Sequence, residues 1–519
     1  MAQNKSTTIY VTIILLVIFS VLSIYNSFLC DDAFITFRYA HNLAFGEGAV
    51  YNSGERVEGY TNFLWMLLLT AVIKLGGQPE LWSRIFSLLF SFGVILIFIK
   101  HTTKYSDNKF NTFLFPVFLT LSAPFYIWSS GGLETAAFTF FVLGGFISLL
   151  KPHEKNEFNK LIFSSIYFIG ASLTRPEGNL FFVLIVGYLI YSFFKKRTSL
   201  KNILSFTVPY MVLYGGYFIW RYGYYGSLFP NTFYIKTPGY EFMISGLEYY
   251  FKFIINSSIW ISLILVIYRM ICSQSKKIQE MLYFLMFVIF SFSIYVFYTG
   301  GDFMAQSRFL VPILPIVYLF FYELTRGTRL NDQSKRFVKI VTISLVIFAS
   351  VNLYVTFDTQ KIWYRGTIDS IGALKNYTAK WTKVATLINN NSQPQDTLAV
   401  SAAGIIPYYT GLYTIDVLGL TAPNINEYRQ REDVTRPGHS LSIKPEYFFK
   451  LKPQFLIGHP KITNELNRKC SFATMKDRKD LFKKYYYLAS MELPGETGEY
   501  LNFWVRQDII SRIPQKLWY

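Results

Sequence analysis

The sequence predicts a polytopic α-helical membrane protein of about 11 spans, followed by a C-terminal extracytoplasmic α/β domain. Three observations predict it. Apolar residues make up 52% of the 519 residues and charged residues only 16%, against about 25% charged in soluble domains. Too few charges remain to coat a soluble protein of this length, and the hydrophobicity equally excludes disorder. Apolar runs long enough for a ~30 Å hydrocarbon core, which takes about 20 helical residues, recur from residue 9 to about residue 357. Beyond residue 357 no further span occurs and the chain becomes charged. The predicted domains are therefore 1–357 in the membrane and 358–519 outside it.

Taken in order, the spans lie near 9–29, 82–99, 110–128, 134–150, 178–194, 202–221, 246–268, 281–299, 309–325 and 340–357. A shorter run, 161–173, is stopped by Thr174-Arg175-Pro176-Glu177-Gly178, because proline and glycine end a helix. The first run follows Lys5 but reads as a retained helix. The bulky Ser27-Phe28-Leu29-Cys30 offers no small-residue cleavage site.

The stretch 61–75 decides the orientation of all that follows. It is short for a crossing and suits a re-entrant or interfacial helix. If it does not cross and the N-terminus is cytoplasmic, 19 Lys and Arg fall in inner segments and 9 in the outer segments before the tail, the remaining 22 lying after residue 357. That satisfies the positive-inside rule; a crossing at 61–75 would turn the basic loops outward. The N-terminus is therefore expected in the cytoplasm and the C-terminal domain outside it. The net charge of +18, which taken alone suggests nucleic acid, is thereby explained by loop sorting, and no nucleic-acid partner is expected.

In the tail, strand patterns at Asp396–Ala402, Tyr413–Leu420, Pro453–Ile457, Tyr485–Glu492 and Leu501–Arg506 alternate with helical stretches near 367–391, 445–452 and 461–484. This argues for an α/β domain. Its basic residues outnumber its acids, 22 to 15, which reads either as a solvated surface or as contact with anionic headgroups or an acidic glycan. Asp416 and His439 are placed either to stabilise loops or to reach the membrane cavity.

The unusual polar residues gather in the outer segments, whereas the inner loops are plain lysine-rich connectors. Ionisable groups at a membrane boundary are costly and mark function by default. Glu58, Glu134, Glu177 and Asp302 supply acids, and Arg175, Arg308 and Lys236 supply cations. Such acids also start helices, and such cations also snorkel to headgroups; their gathering on one face favours a polar cavity opening outward. Asp31-Asp32 is the sharpest feature. Residues 33–45 carry apolar positions at helical spacing, which predicts a short helix in the interface with the acid pair at its start. Backbone N–H groups and the helix dipole would lower the carboxyl pKa there. The ionised carboxylate would then act as a base toward a hydroxyl. His41 reads as a satisfied interfacial residue.

Metal and nucleotide signals are weak. The 5 His residues show no His-x-x-x-His spacing, no Cys-x-x-Cys occurs, and neither G-x-G-x-x-G nor a P-loop is present. The adjacent acids have the donor set for one divalent cation shared with substrate oxygens, but nothing requires it, and no cofactor is expected. Of the cysteines at 30, 272 and 470, only Cys30 and Cys470 share the outer compartment; two free thiols are expected.

The runs Asp31-Asp32-Ala33-Phe34-Ile35-Thr36-Phe37-Arg38-Tyr39-Ala40 and Val57-Glu58-Gly59-Tyr60-Thr61-Asn62-Phe63-Leu64-Trp65 resemble the polytopic GT-C glycosyltransferases. Within that superfamily they resemble the terminal β-(1→2)-arabinofuranosyltransferases. Gly132-Leu133-Glu134, Arg175-Pro176-Glu177-Gly178, Pro230-Asn231-Thr232, Gly300-Gly301-Asp302-Phe303 with Arg308-Phe309-Leu310-Val311-Pro312, and Asp416-Val417-Leu418-Gly419-Leu420 are also similar. The resemblance implies a GT-C fold and a polyprenyl-phosphate sugar donor used on the outer face. It implies a first-loop acid as catalytic base, Asp31 or Asp32, with Asp31 favoured as the first of the pair. Substrate-binding candidates are Arg38, Glu58, Tyr60, Asn62, Glu134, Arg175 and Glu177 in the first half of the chain, and Asn231, Lys236, Asp302, Arg308 and His439 after it. The transferred sugar implied is D-arabinofuranose or another pentose. The lysine- and isoleucine-rich composition is not actinobacterial in character, so the acceptor is expected to be an extracytoplasmic glycan or glycoprotein such as lipopolysaccharide, capsule or pilin. The alternatives are a lipid-sugar flippase, which would place its charges near mid-membrane and show repeats, and a scaffold whose tail binds glycan.

Overall fold

The computed structural model describes residues 5–105, 109–150, 157–235, 242–257, 259–271, 280–302, 304–325, 340–341, 343–345, 347–348, 371–423, 427, 429–431, 441–444, 447, 450–464 and 484–513. The described helices are α1 (Lys5–Tyr25), α2 (Asp31–Ala44), α3 (Phe63–Lys74), α4 (Pro79–Tyr105), α5 (Lys109–Leu121), α6 (Ala123–Trp128), α7 (Thr135–Leu150), α8 (Glu157–Thr174), α9 (Gly178–Phe194), α10 (Leu200–Tyr225), α11 (Asn231–Ile235), α12 (Met243–Ser257), α13 (Ile259–Ile271) and α14 (Glu280–Tyr298). A 3-10 turn, Arg308–Ile313, runs into α15 (Leu314–Thr325).

Five described helices are long and apolar enough to cross a bilayer: Ser6–Tyr25, Pro79–Tyr105, Leu200–Tyr225, Glu280–Tyr298 and Arg308–Thr325. The bent pair Met243–Ser257 and Ile259–Ile267 makes a sixth if counted as one span. Their outward faces are apolar in the manner of lipid contact: Ile9, Ile13, Val17 and Ile24 of α1 are all exposed. The chain is a multi-pass membrane protein. Eleven full-length spans are not what the described residues contain. The expected span 110–128 is broken, with α5 ending at Leu121 and α6 restarting at Ala123, where Pro124 suits a helix start. Helices α7 and α9 are shorter apolar rods of 16 and 17 residues, and most of 340–357 lies outside the described residues. Helix α3 has 12 residues, about 18 Å of rise, and falls short of a crossing.

Helix packing uses small residues. An added Cβ on Gly145 would lie 2.6 Å from a Phe168 ring carbon, and on Gly178 2.6 Å from the Ala171 backbone. The Phe168 ring of α8 thus occupies the space a side chain on Gly145 of α7 would need, and α9 begins in close backbone contact with α8.

In the tail, α16 (Ile371–Asn389) precedes β1 (Thr397–Val400), α17 (Ile405–Thr410) and β2 (Tyr413–Asp416). Then come β3 (Arg429–Arg431), β4 (Leu441–Ile443), β5 (Phe455–Thr463), β6 (Tyr486–Glu492) and β7 (Tyr500–Arg506). Five strands form a mixed sheet in the order β2-β1-β5-β7-β6. The β1–β2 and β1–β5 pairs are parallel, and β5–β7 and β6–β7 are antiparallel. The crossover β1-α17-β2 is a short βαβ unit, and its helix turns toward the membrane bundle. The helix expected at 461–484 gives way at its start to β5, which extends to Thr463 because it pairs with β7 there; residues 465–483 lie outside the described set.

One continuous apolar core runs from the bundle through Leu374 and Trp381 of α16 into Leu398, Val400 and Phe455 of the sheet. Helix α2 lies in the middle of it. Eight consecutive residues, Ala33–Ala40, are buried, which corrects the expected half-exposed interfacial helix. An interfacial helix buries one face; α2 has the bundle on one side and α17 on the other, with Phe34 and Phe37 in edge contact with Tyr408 at 5.5 and 6.0 Å.

Candidate active site

The acid pair sits where α1 ends and α2 begins. Asp31 and Asp32 fill the first turn of α2, and Cys30 takes the cap position without a side-chain cap bond. The Asp31 carboxylate does not turn back on its own helix. It accepts hydrogen bonds from the backbone N–H groups of Gly404 at 3.1 Å and Ile405 at 2.7 Å, one on each oxygen. These amides open α17, some 370 residues downstream. An amide-to-carboxylate bond is charge-assisted, so the tail fixes the orientation of Asp31. Gly404 is required by the closeness of that contact: an added Cβ would lie 2.6 Å from the Asp31 carbonyl carbon and 2.7 Å from its Cγ.

The expected lowered pKa at Asp31 is corrected. Burial pushes its carboxyl up to about 7, and neighbouring Asp32 and Asp416 add to the rise while the two amides oppose it. The reasoning from a helix start fails because the tail removes water from the site. Asp32 is partly exposed and makes no hydrogen bond or ion pair with a described residue. Cys30, buried and donating to the Gly131 carbonyl at 3.4 Å, has its thiol driven up by burial and by Asp32, which makes it a poor nucleophile.

Around the pair lies a ring of buried charge. Glu134, just before α7, binds Arg175 Nη1 at 2.9 Å and Asn62 Nδ2 at 2.9 Å. Asn62 also joins Thr36 of α2. Arg175 forks onto Glu177 through Nε at 3.2 Å and Nη2 at 2.8 Å. Burial alone would raise the Glu177 pKa, but the Arg175 charge and hydrogen bonds hold it below the usual carboxylate range. Arg308 pairs with Asp302 at 2.7 Å, both almost fully buried. It lies over the Trp128 ring at 5.4 Å and within electrostatic reach of Asp32, Arg175 and Glu134. Its Nε–H is buried without a hydrogen-bond partner among the described residues, a donor whose desolvation cost is uncompensated unless a ligand supplies an acceptor. Thus Asp32, Glu134, Arg175, Glu177, Asp302, Arg308 and Asn62 come together. No three His, Cys, Asp or Glu side chains converge on a metal position among the described residues.

Other candidates lie elsewhere and hold the fold. Arg38 uses all of its N–H groups: on the carbonyls of Tyr51, Pro407 and Leu412, and on Thr414 Oγ1 and Asn52 Oδ1. It staples α2 to the first loop and the tail. Glu58 forms a buried ion pair with Arg221 of α10, with Nε at 2.9 and 2.8 Å from its two oxygens. Tyr60 shares a hydroxyl contact of 3.0 Å with Tyr225. Asn231 bridges Glu58 and Ala422 through its backbone N–H and its amide. Asp416 binds its own turn, accepting from Leu418 and Thr421, the loop-stabilising role of the two weighed. Lys236 and His439 lie outside the described residues. Sequence reasoning missed Gly404, Ile405, Trp128 and Arg221. The only local signal was Gly404 between β1 and α17, where a strand turns into a helix.

Residues 369–505 match a family described as a domain of unknown function (DUF8728). Over 261 residues the chain is 28% identical to a terminal β-(1→2)-arabinofuranosyltransferase of Mycobacterium tuberculosis, covering 46% of this chain and 39% of that one. Over 333 residues it is 24% identical to the enzyme of the same name in Corynebacterium glutamicum, covering 56% and 47%. The chain thus spans less than half the length of these curated relatives. The resemblance carried by the first-loop motif is borne out. Two crystal structures of ArnT from Cupriavidus metallidurans superpose with a TM-score of 0.64 at 11% identity. One is bound to undecaprenyl phosphate and is matched over 99% of this chain and all of that one; the other, in the apo state, over 98% and all. The fold is of the GT-C type.

Proposed function

We propose that this chain is a membrane glycosyltransferase that moves a sugar, a pentose such as D-arabinofuranose, from a polyprenyl-phosphate donor to an extracytoplasmic glycan or glycoprotein. The observation that carries the reading is an amide-fixed carboxylate, Asp31, beside a ring of buried arginines one of which has an unused donor. The acceptor hydroxyl approaches the sugar C1 as the C1–phosphate bond opens through an oxocarbenium-like state. Asp31 takes the acceptor proton, and a carboxylate of pKa near the working pH is well matched to that task. The polyprenyl phosphate leaves as an anion, held by Arg308 Nε and Arg175, so no general acid is needed. Unpartnered Asp32 is left to meet hydroxyls of the incoming sugar. No step calls for a divalent cation. The donor is reached from the lipid, with the acid pair on the periplasmic side of the inner membrane and the tail, residues 358–519, completing the site from the same side.

The test is transfer from a synthetic polyprenyl-phosphate arabinofuranose, with the envelope glycans of a deletion strain complemented by each variant as second readout. Asp31→Asn is expected to lose about 10²–10⁴-fold in rate. Full transfer by both Asp31→Asn and Asp32→Asn would exclude the acid pair as base.

A further inference from the structure

A second concavity opens on the same seam between α2 and α17, away from the charge ring. It encloses about 290 Å³ and is lined by Arg38, His41, Asn42, Ser53, Tyr408 and Tyr413 among others. Its size is at the low edge of small-molecule sites, which start at about 300 Å³, and suits one sugar ring rather than a chain.

Its chemistry is that of a polyol site. The floor is rigid and saturated: every Arg38 N–H is committed to protein oxygens, and Asn52 is committed at both ends, with its amide donating to Glu55 and Thr414 and its oxygen accepting from Arg38 and Thr414. No carboxylate lines the cavity, and the one cation on its floor, Arg38, has every N–H taken by neutral oxygens, so the cavity offers an ion no direct charge-assisted bond. The walls keep neutral capacity in reserve. The His41 ring, exposed and packed on Phe45 at 4.6 Å, and the exposed Ser53 hydroxyl have no hydrogen-bond partner among the described residues. Asn42 spends its amide hydrogens on Val50 and Tyr51 and keeps its oxygen. Tyr408 and His41 add ring faces of the kind that pack against sugar C–H groups. The distance is also informative. His41 is ten residues along α2 from Asp31, roughly 15 Å at 1.5 Å per residue, farther than one sugar reaches.

We infer that this cavity is a distal subsite for the acceptor, holding an internal sugar of a neutral oligosaccharide whose terminal hydroxyl lies at Asp31. The inference rests on the proposed glycosyl transfer and deepens it. It makes the enzyme a reader of chain, favouring an acceptor several sugars long over a single sugar.

The test uses the full chain in detergent, without donor, so that no turnover occurs. The probe is a pool of fluorescently tagged neutral oligosaccharides released from the parent strain's envelope. The wild type is expected to retain a subset of the pool, and Ser53→Trp, which plugs the cavity from an exposed position, to weaken retention at least tenfold. His41→Ala is expected to weaken it less, and His41→Gln to restore most of it. Thermal unfolding of each variant checks that the fold is intact. Retention unchanged by Ser53→Trp and His41→Ala, or no retention by the folded wild type, would overturn the subsite. Failure of the underlying reading looks different: no transfer from polyprenyl-phosphate arabinofuranose while cavity-dependent retention persists.

Discussion

Gly404→Ala tests the tail's grip on Asp31 without touching the carboxylate. The backbone at Gly404, with φ −97° and ψ −89°, does not require glycine, so any effect comes from the methyl group meeting Asp31. That methyl would lie 2.6 Å from the Asp31 carbonyl carbon and 2.7 Å from Cγ. Most of the obstruction is backbone, so no rotamer relieves it. The start of α17 must withdraw, and both amide bonds lengthen together. Overpacking costs about 1–3 kcal/mol. Each bond to a charged group is worth about 1.5–3 kcal/mol, part of which water recovers because Asp31 is partly exposed. A net loss of roughly 2–4 kcal/mol in tail docking is expected. Misplacing a reacting group by about 1 Å costs on the order of 10²-fold in rate, and transfer should fall by that much. The pH profile supplies a second, independent reading. The base works ionised, so wild-type transfer should rise with pH through an acid limb near 7. Burial is the larger cause of the upward shift and the amides the smaller, opposing one, so admitting water as α17 withdraws should move that limb to lower pH. Transfer across pH 5–9 on purified protein, with thermal unfolding alongside, makes the measurement. A variant with wild-type stability and an unmoved acid limb would refute the claim that α17 orients the base.

Three further perturbations have definite outcomes. Arg175→Lys keeps the charge but cannot fork onto Glu177 while reaching Glu134; the KM for the lipid donor should rise roughly tenfold or more with a smaller change in kcat, read from initial rates at varied donor. Arg38→Lys strands the carbonyls of Pro407 and Leu412 and should destabilise the chain by about 2–4 kcal/mol, seen as a lower Tm and faster amide exchange in α17. Glu58→Ala leaves Arg221 buried and unpaired and should cost about 3–5 kcal/mol, whereas Glu58→Met with Arg221→Met should recover most of the Tm.

Much of this was legible in the sequence because the signals are local. Five tail strands appear where alternating apolar segments placed them, and the acid pair opens a helix as its spacing implied. The acids and cations of the outer turns were recognisable as a set, and Glu134, Arg175, Glu177, Asp302 and Arg308 do converge. What sequence could not show depends on distant partners. Arg38 reads like a substrate ligand until Pro407, Leu412 and Thr414 consume its donors. Glu58 reads like a site acid until Arg221, 163 residues away, neutralises it. The direction of the Asp31 pKa was misjudged for the same reason: helix-start rules assume water over the first turn, and here α17 replaces it. The described residues do not confirm the count of about 11 spans: α5 stops at Leu121 and α7 is buried among its neighbours, while α9 is short but keeps exposed apolar residues such as Val183 and Ile190.

The two amides that seize Asp31 come 373 and 374 residues after it. At roughly 5–20 residues per second of synthesis, the first loop waits about 20–75 s for them. During that interval a newborn chain already has both aspartates but lacks the clamp that aims one of them. On the proposed reading, transfer is thereby deferred to the end of biogenesis, and an incomplete chain left in the bilayer would squander no donor sugar on water.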